Sequence, residues 1–139
     1  MILSLAEHIE TIRNKITSST GVNVTHGMPV DSAPGLYLFP YNFSVDPHIH
    51  NKPIRGIKPQ TIASYNVKLL LIPSPSNDYE ILNKGLDCIN DNPILESKNG
   101  TANVVLENVS TEELTSVFIS AGVPYRLSLP FKMHYIDNP

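Results

Sequence analysis

An α+β fold, with about three helices packed on one largely antiparallel sheet, follows from three features of this sequence. Apolar residues alternate with a period of two over 37–45, 63–71 and 125–135, as in strands with one buried face. Around these runs, apolar residues recur at spacings of three and four, the signature of amphipathic helices. The resulting order, α-β-β-β-α-β-α-β, reads as helices lying over a single sheet.

The elements follow in order. Ile2, Leu5, Ile9, Ile12 and Ile16 form one apolar stripe, and Thr17–Gly21 ends that helix. The stripe is barely two heptads long, so it is expected to pack on this chain's own sheet rather than in a coiled coil. Val22–His26 is a short strand, and 27–34 is a turn-rich link. In the strand over 35–45, Tyr37, Phe39, Tyr41, Phe43 and Val45 share one face, with Leu36 and Leu38 on the other. Pro40 interrupts this strand and Pro130 the last one. Proline cannot donate to a ladder, so an edge or a bulge is expected at each.

The strand over 62–72 turns apolar on both faces toward its end, as a central strand covered on both sides does. Asn77 and Glu80 have capping spacing. Tyr79, Leu82, Leu86 and Ile89 form the apolar face of the helix that follows, and Asn92-Pro93 stops it. A strand over 102–107 precedes a last helix–strand unit. There Ser110 and Glu113 have capping-box spacing, and Leu114, Val117, Phe118 and Ala121 make one helical face. Gly122 closes the helix and Pro124 prevents a restart. Tyr125, Leu127, Leu129, Phe131, Met133 and Tyr135 then line one side of a strand. There is no internal repeat and no linker, so one domain over 1–139 is expected.

Composition narrows the function. Charged residues are 17% of the chain, against a typical ~25%. Such a surface suits a subunit that buries area against partners, and equally a monomer rich in Asn, Ser and Thr. The net charge of −3 gives no electrostatic case for nucleic acid. No stretch approaches the ~20 apolar residues of a membrane span, and Met1–Glu7 lacks the pattern of a signal peptide. The expected location is the cytoplasm, with no membrane insertion. Cys88, the one cysteine, is expected to be a packed thiol.

No nucleophile elbow, P-loop, dinucleotide fingerprint or Cys/His cluster occurs, so neither catalysis nor a cofactor is expected. His48 and His50, with His26 or Asp46, make a metal site only in the weakest sense; a solvated loop accounts for them. The segment 46–61 is the best candidate for contact. It holds His48, His50, Lys52, Arg55 and Lys58 against one acid, Asp46, with prolines at 47, 53 and 59. A long connection of this kind is commonly functional. It is expected to touch a neighbouring subunit or an acidic partner surface, the alternative being a loop kept soluble by its charges. Tyr125 and Arg126, at the corner before the last strand, are residue types favoured at interfaces.

Three blocks carry a family resemblance. They are the helix–corner–strand unit over 110–136, the strand Tyr65–Pro73 with its Leu-Leu-Ile-Pro end, and Ile81-Leu82-Asn83 through Asp91-Asn92-Pro93-Ile94-Leu95. In this order and spacing the chain resembles the N-terminal domain of cap, or terminator, proteins of phage-tail-like contractile injection systems. Phe118 stands where that family often has Trp, and Asn83 where it often has Gly. The resemblance implies a tail-terminator-like fold and a ring of this chain, typically a hexamer, on the distal end of tube and sheath. The implied partners are other copies of the chain and the tube and sheath subunits. Many members carry further sequence, so a short form or part of a longer protein is implied here. The alternatives are a tail-completion protein of a contractile phage or, in another class, a monomeric binding module or small enzyme.

Replacing Lys52, Arg55 and Lys58 together with Glu is expected to abolish assembly while leaving circular dichroism unchanged. Assembly at the wild-type level would remove the contact role from this segment.

Overall fold

A strand buried on both faces organises the chain. In the computed structural model, which describes residues 4–29, 33–45, 64–97 and 100–137, every residue from Leu69 to Ser74 is buried. The elements are α1 (Ser4–Thr20), β1 (Val24–His26), β2 (Gly35–Val45), β3 (Ser64–Ser74), α2 (Tyr79–Asp91), β4 (Ile94–Ser97), β5 (Gly100–Leu106), α3 (Thr111–Ala121) and β6 (Leu129–Asp137). The six strands lie in the order β1-β2-β3-β6-β5-β4. Only β1 and β2 pair in parallel; the other four pairs are antiparallel.

Side-chain alternation in β3 divides the core in two. Tyr65, Val67, Leu69 and Leu71 face α1 and α2, joining Ile12, Ile16, Cys88, Ile89, Phe131 and Met133. Leu70 and Ile72 point the other way, onto Leu114 and Phe118 of α3. The expected central strand with two covered faces is therefore present, and so are the three helices on a largely antiparallel sheet. Cys88 is the packed thiol expected, its Sγ 3.6 Å from the Lys15 carbonyl oxygen.

Local chemistry explains where α3 begins and ends. Ser110 is in extended conformation, and its Oγ accepts from Glu113 N at 3.1 Å. At the other end Gly122 has φ 73°, its N–H bonds Ile119 O, and Val123 N bonds Phe118 O at 3.1 Å. This is a Schellman closure, and Val123 and Phe118 pack in the same core cluster, as that motif favours. Gly85 plays a different part. A Cβ there would overlap Leu71 Cδ2, so the missing side chain lets α2 settle onto the sheet.

Several expectations change. β2 is bulged after Pro40, with the register stepping from Pro40↔Leu69 to Asn42↔Lys68. The extra residue, Tyr41, reverses the alternation, so Phe43 and Val45 share the face of Leu36 and Leu38, not that of Tyr37. The cap of α2 is Asp78, whose Oδ1 accepts from Ile81 N at 3.2 Å, rather than Asn77. Its buried face is Ile81, Gly85, Cys88 and Ile89; Tyr79 stays 62% exposed. A short edge strand, β4, follows α2 where only a helix stop was read, because one buried residue, Leu95, is too little for a periodic signal. The first strand is shorter than read, starting at Val24.

The last strand starts at Leu129, not Tyr125. Extending the Leu71↔Leu129 register would set Leu127 opposite Pro73, which has no N–H to give. Tyr125 and Leu127 are instead about half exposed. Pro130 sits where β5 runs out: its carbonyl accepts from Glu107 N at 3.1 Å, so its donorless side faces the end of that ladder.

Phe118 is fully buried, so Phe118→Ala is expected to cost about 3–5 kcal/mol. Ser110→Ala is expected to cost about 1 kcal/mol. Urea unfolding midpoints at constant m-value test both.

Candidate functional site

Among the described residues the surface offers grooves and sheet edges. One groove, about 480 Å³, runs between the β2 bulge and α3. Phe39, Pro40, Tyr41 and Asn42 line it from the strand; Glu113, Ser116, Val117, Ser120 and Ala121 line it from the helix. The bulge turns Tyr41 into this groove. Its hydroxyl is buried and makes no hydrogen bond. Burial, and then the charges of Glu113 and Glu107, push the phenol up to about 12. Glu107 lies 3.8 Å from Lys132 Nζ. Glu113 uses only its backbone N–H in the cap; among the described residues its carboxylate has no cationic partner.

A second groove, about 280 Å³ and mostly apolar, lies between Tyr79, Leu82 and Leu86 of α2 and Leu127–Leu129. These α2 residues are the helical face read from the sequence; they line the rim of the fold instead of its centre. Phe43 and Val45 at the end of β2 and Ile94 on β4 are also about half exposed.

Of the predicted contact residues, Arg126 lies within the described part, beside Tyr125. It is partly buried, and its Nη1 donates to Pro73 O at 3.4 Å, holding the corner segment to the end of β3. Its Nε is buried without a hydrogen bond. His48, His50, Lys52, Arg55 and Lys58 lie outside the described residues. Among the described residues no three His, Cys, Asp or Glu side chains gather as metal ligands. His26 instead pairs with Glu10 at 3.1 Å, and Glu10 also pairs with Arg13. Arg13, and then His26, hold the Glu10 carboxyl down at about 2. Arg13 Nη1 reaches Val24 O at 3.2 Å, so this cluster ties α1 to β1.

Two arrangements escaped sequence reasoning. Ser64 Oγ and His134 Nε2 are 3.0 Å apart across β3 and β6. Seventy positions separate them, and only the strand register brings them together. An aromatic row also crosses the sheet beneath α1. His8 meets Tyr135 at 4.3 Å between ring centroids, Tyr135 meets Tyr65 at 4.7 Å, and Tyr65 meets Phe43 at 5.2 Å. The alternation of Tyr65 and Tyr135 was visible, but the burial of a histidine on α1 was not.

The family model for the Pvc16 N-terminal domain matches residues 4–137. The chain belongs to this family. No curated protein matches the sequence. Among solved structures, a similar fold occurs in the sheath/tube terminator of an extracellular contractile injection system, PVC, in its extended state, with TM-score 0.68 at 14% identity. It recurs also in the tube-terminating cap of the anti-feeding prophage, with TM-score 0.67 at 14% identity. Both similarities cover 100% of this chain, which spans 57% and 56% of the two caps.

The fold holds the Tyr41 phenol neutral, so its contribution to stability is complete below the ordinary value of about 10 and is lost as pH rises from there to about 12. Over that interval the unfolding midpoint of the wild type is expected to fall more steeply than that of Tyr41→Phe. Parallel slopes would show that Tyr41 does not titrate abnormally.

Proposed function

We propose that this chain is the cap domain of a contractile injection system, ending growth of tube and sheath as a hexameric ring. The observation that carries this reading is the match along the whole chain to two caps, each named for terminating a tube or a tube and sheath. The family model, which spans 4–137, supports it independently.

The physics of such a role is compatible with what the surface offers. A ring needs a heterologous contact, in which two different patches of one chain meet and the rotation closes. An open sheet with exposed apolar residues at opposite ends, Phe43 and Val45 on β2 and Ile94 on β4, supplies different patches on one molecule. One ring face then fits the last layer of tube or sheath, and the other offers nothing for another layer to dock on. This work is done by shape, as one domain over 1–139, and needs neither cofactor nor bond-making. Its partners are copies of itself and the tube and sheath subunits, and it acts in the cytoplasm within the particle. No described helix is long and apolar enough to cross a membrane. Within this reading Arg126, His48, His50, Lys52, Arg55 and Lys58 serve as contact residues.

Deleting the gene in its native host tests the role. The expected particles have tubes and sheaths of irregular length with open distal ends, restored by supplying the chain in trans. Particles of normal length with intact ends would refute it.

A further inference from the structure

The groove between the β2 bulge and α3 has three properties that belong together. First, β1 pairs only with Leu36–Leu38, so beyond Leu38 the outer edge of β2 has no neighbouring strand among the described residues. Pro40 and the Tyr41 bulge interrupt this edge, which therefore favours short contacts over a long continuous ladder. Second, the buried Tyr41 hydroxyl makes no hydrogen bond, which leaves its desolvation uncompensated unless a ligand satisfies it. Third, the Glu113 carboxylate on the facing helix wall has no cation beside it among the described residues. A phenol oxygen able to accept and an unpaired carboxylate complement a cationic N–H donor, above all a guanidinium, which donates in several directions at once.

The chain itself contains a matching sequence. Residues 46–61 carry Lys52, Arg55 and Lys58 against the single acid Asp46, and their three prolines cannot sustain a continuous ladder either. We propose that this groove receives the 46–61 segment of a second copy of the chain, with a basic side chain bridging Glu113 and Tyr41. The inference rests on the ring reading, because segment and groove are two different patches and their mutual engagement is the heterologous contact a ring requires. Charge complementarity selects the occupant: among the described residues the groove is lined by an acid and no base, and the segment is basic.

The test separates donor from acceptor. A labelled peptide of residues 46–61 is titrated into the full chain bearing Lys52→Glu, Arg55→Glu and Lys58→Glu, whose own segment cannot compete. Saturable binding that weakens with salt is expected, reduced about tenfold or more by Glu113→Gln and severalfold by Tyr41→Phe. The peptide with the same three glutamates should not bind. No binding, or binding indifferent to both groove substitutions, would overturn the proposal. Mixing the triple-Glu chain with a Glu113→Lys chain then distinguishes a second copy from the same one. Each is expected to be monomeric alone and to form a 1:1 complex when mixed; no complex would overturn engagement between copies. Neither experiment involves tube or sheath, so the cap reading can fail on particle length while this contact stands, and the reverse.

Discussion

The fold depends on one strand being covered from both sides. From Leu69 to Ile72, β3 places Leu69 and Leu71 under α1 and α2 and Leu70 and Ile72 under α3. Because its side chains alternate, this one strand contributes to the helix layers on both faces of the sheet. The strand lies between β2 and β6, and the antiparallel ladders on either side satisfy its backbone while its side chains anchor both layers. The Schellman closure of α3 brings Val123 into the second layer, and the gap left by Gly85 lets α2 approach the first.

What was legible follows from how local each signal is. The cap and stop of α3 involve residues within six positions of each other, and they form as read, apart from the reciprocal bond of the capping box. The Glu113 side chain lines the groove instead. The doubly apolar end of β3 was also legible, because burial on both faces leaves a continuous run rather than an alternating one. By contrast, the Tyr41 bulge was only half visible. Pro40 marked the place, but the switch of Phe43 and Val45 to the other face depends on pairing with β3. The start of β6 was misplaced because Pro73, more than fifty positions away, decides where its ladder can begin. The Ser64–His134 pair and the buried His8 arise from register and helix docking, for which a single sequence gives no local signal.

The candidate surfaces have a common character. They are an acidic groove with an unsatisfied phenol, an apolar rim between α2 and Leu127–Leu129, and interrupted sheet edges. A catalytic site would bring together titratable groups with opposed environments. The ionised cluster at Glu10, Arg13 and His26 does not, since its members pair with each other and tie α1 to β1. Features of this kind suit contact with other protein surfaces.

Direct imaging of the assembled particle bears most closely on the central idea, that the chain closes the end of a growing polymer by its shape. The account predicts a closed ring of density at the distal layer into which the six-stranded sheet and its three helices fit, in contact with tube or sheath. A distal layer fully explained by other subunits, with no density for this fold, would contradict it.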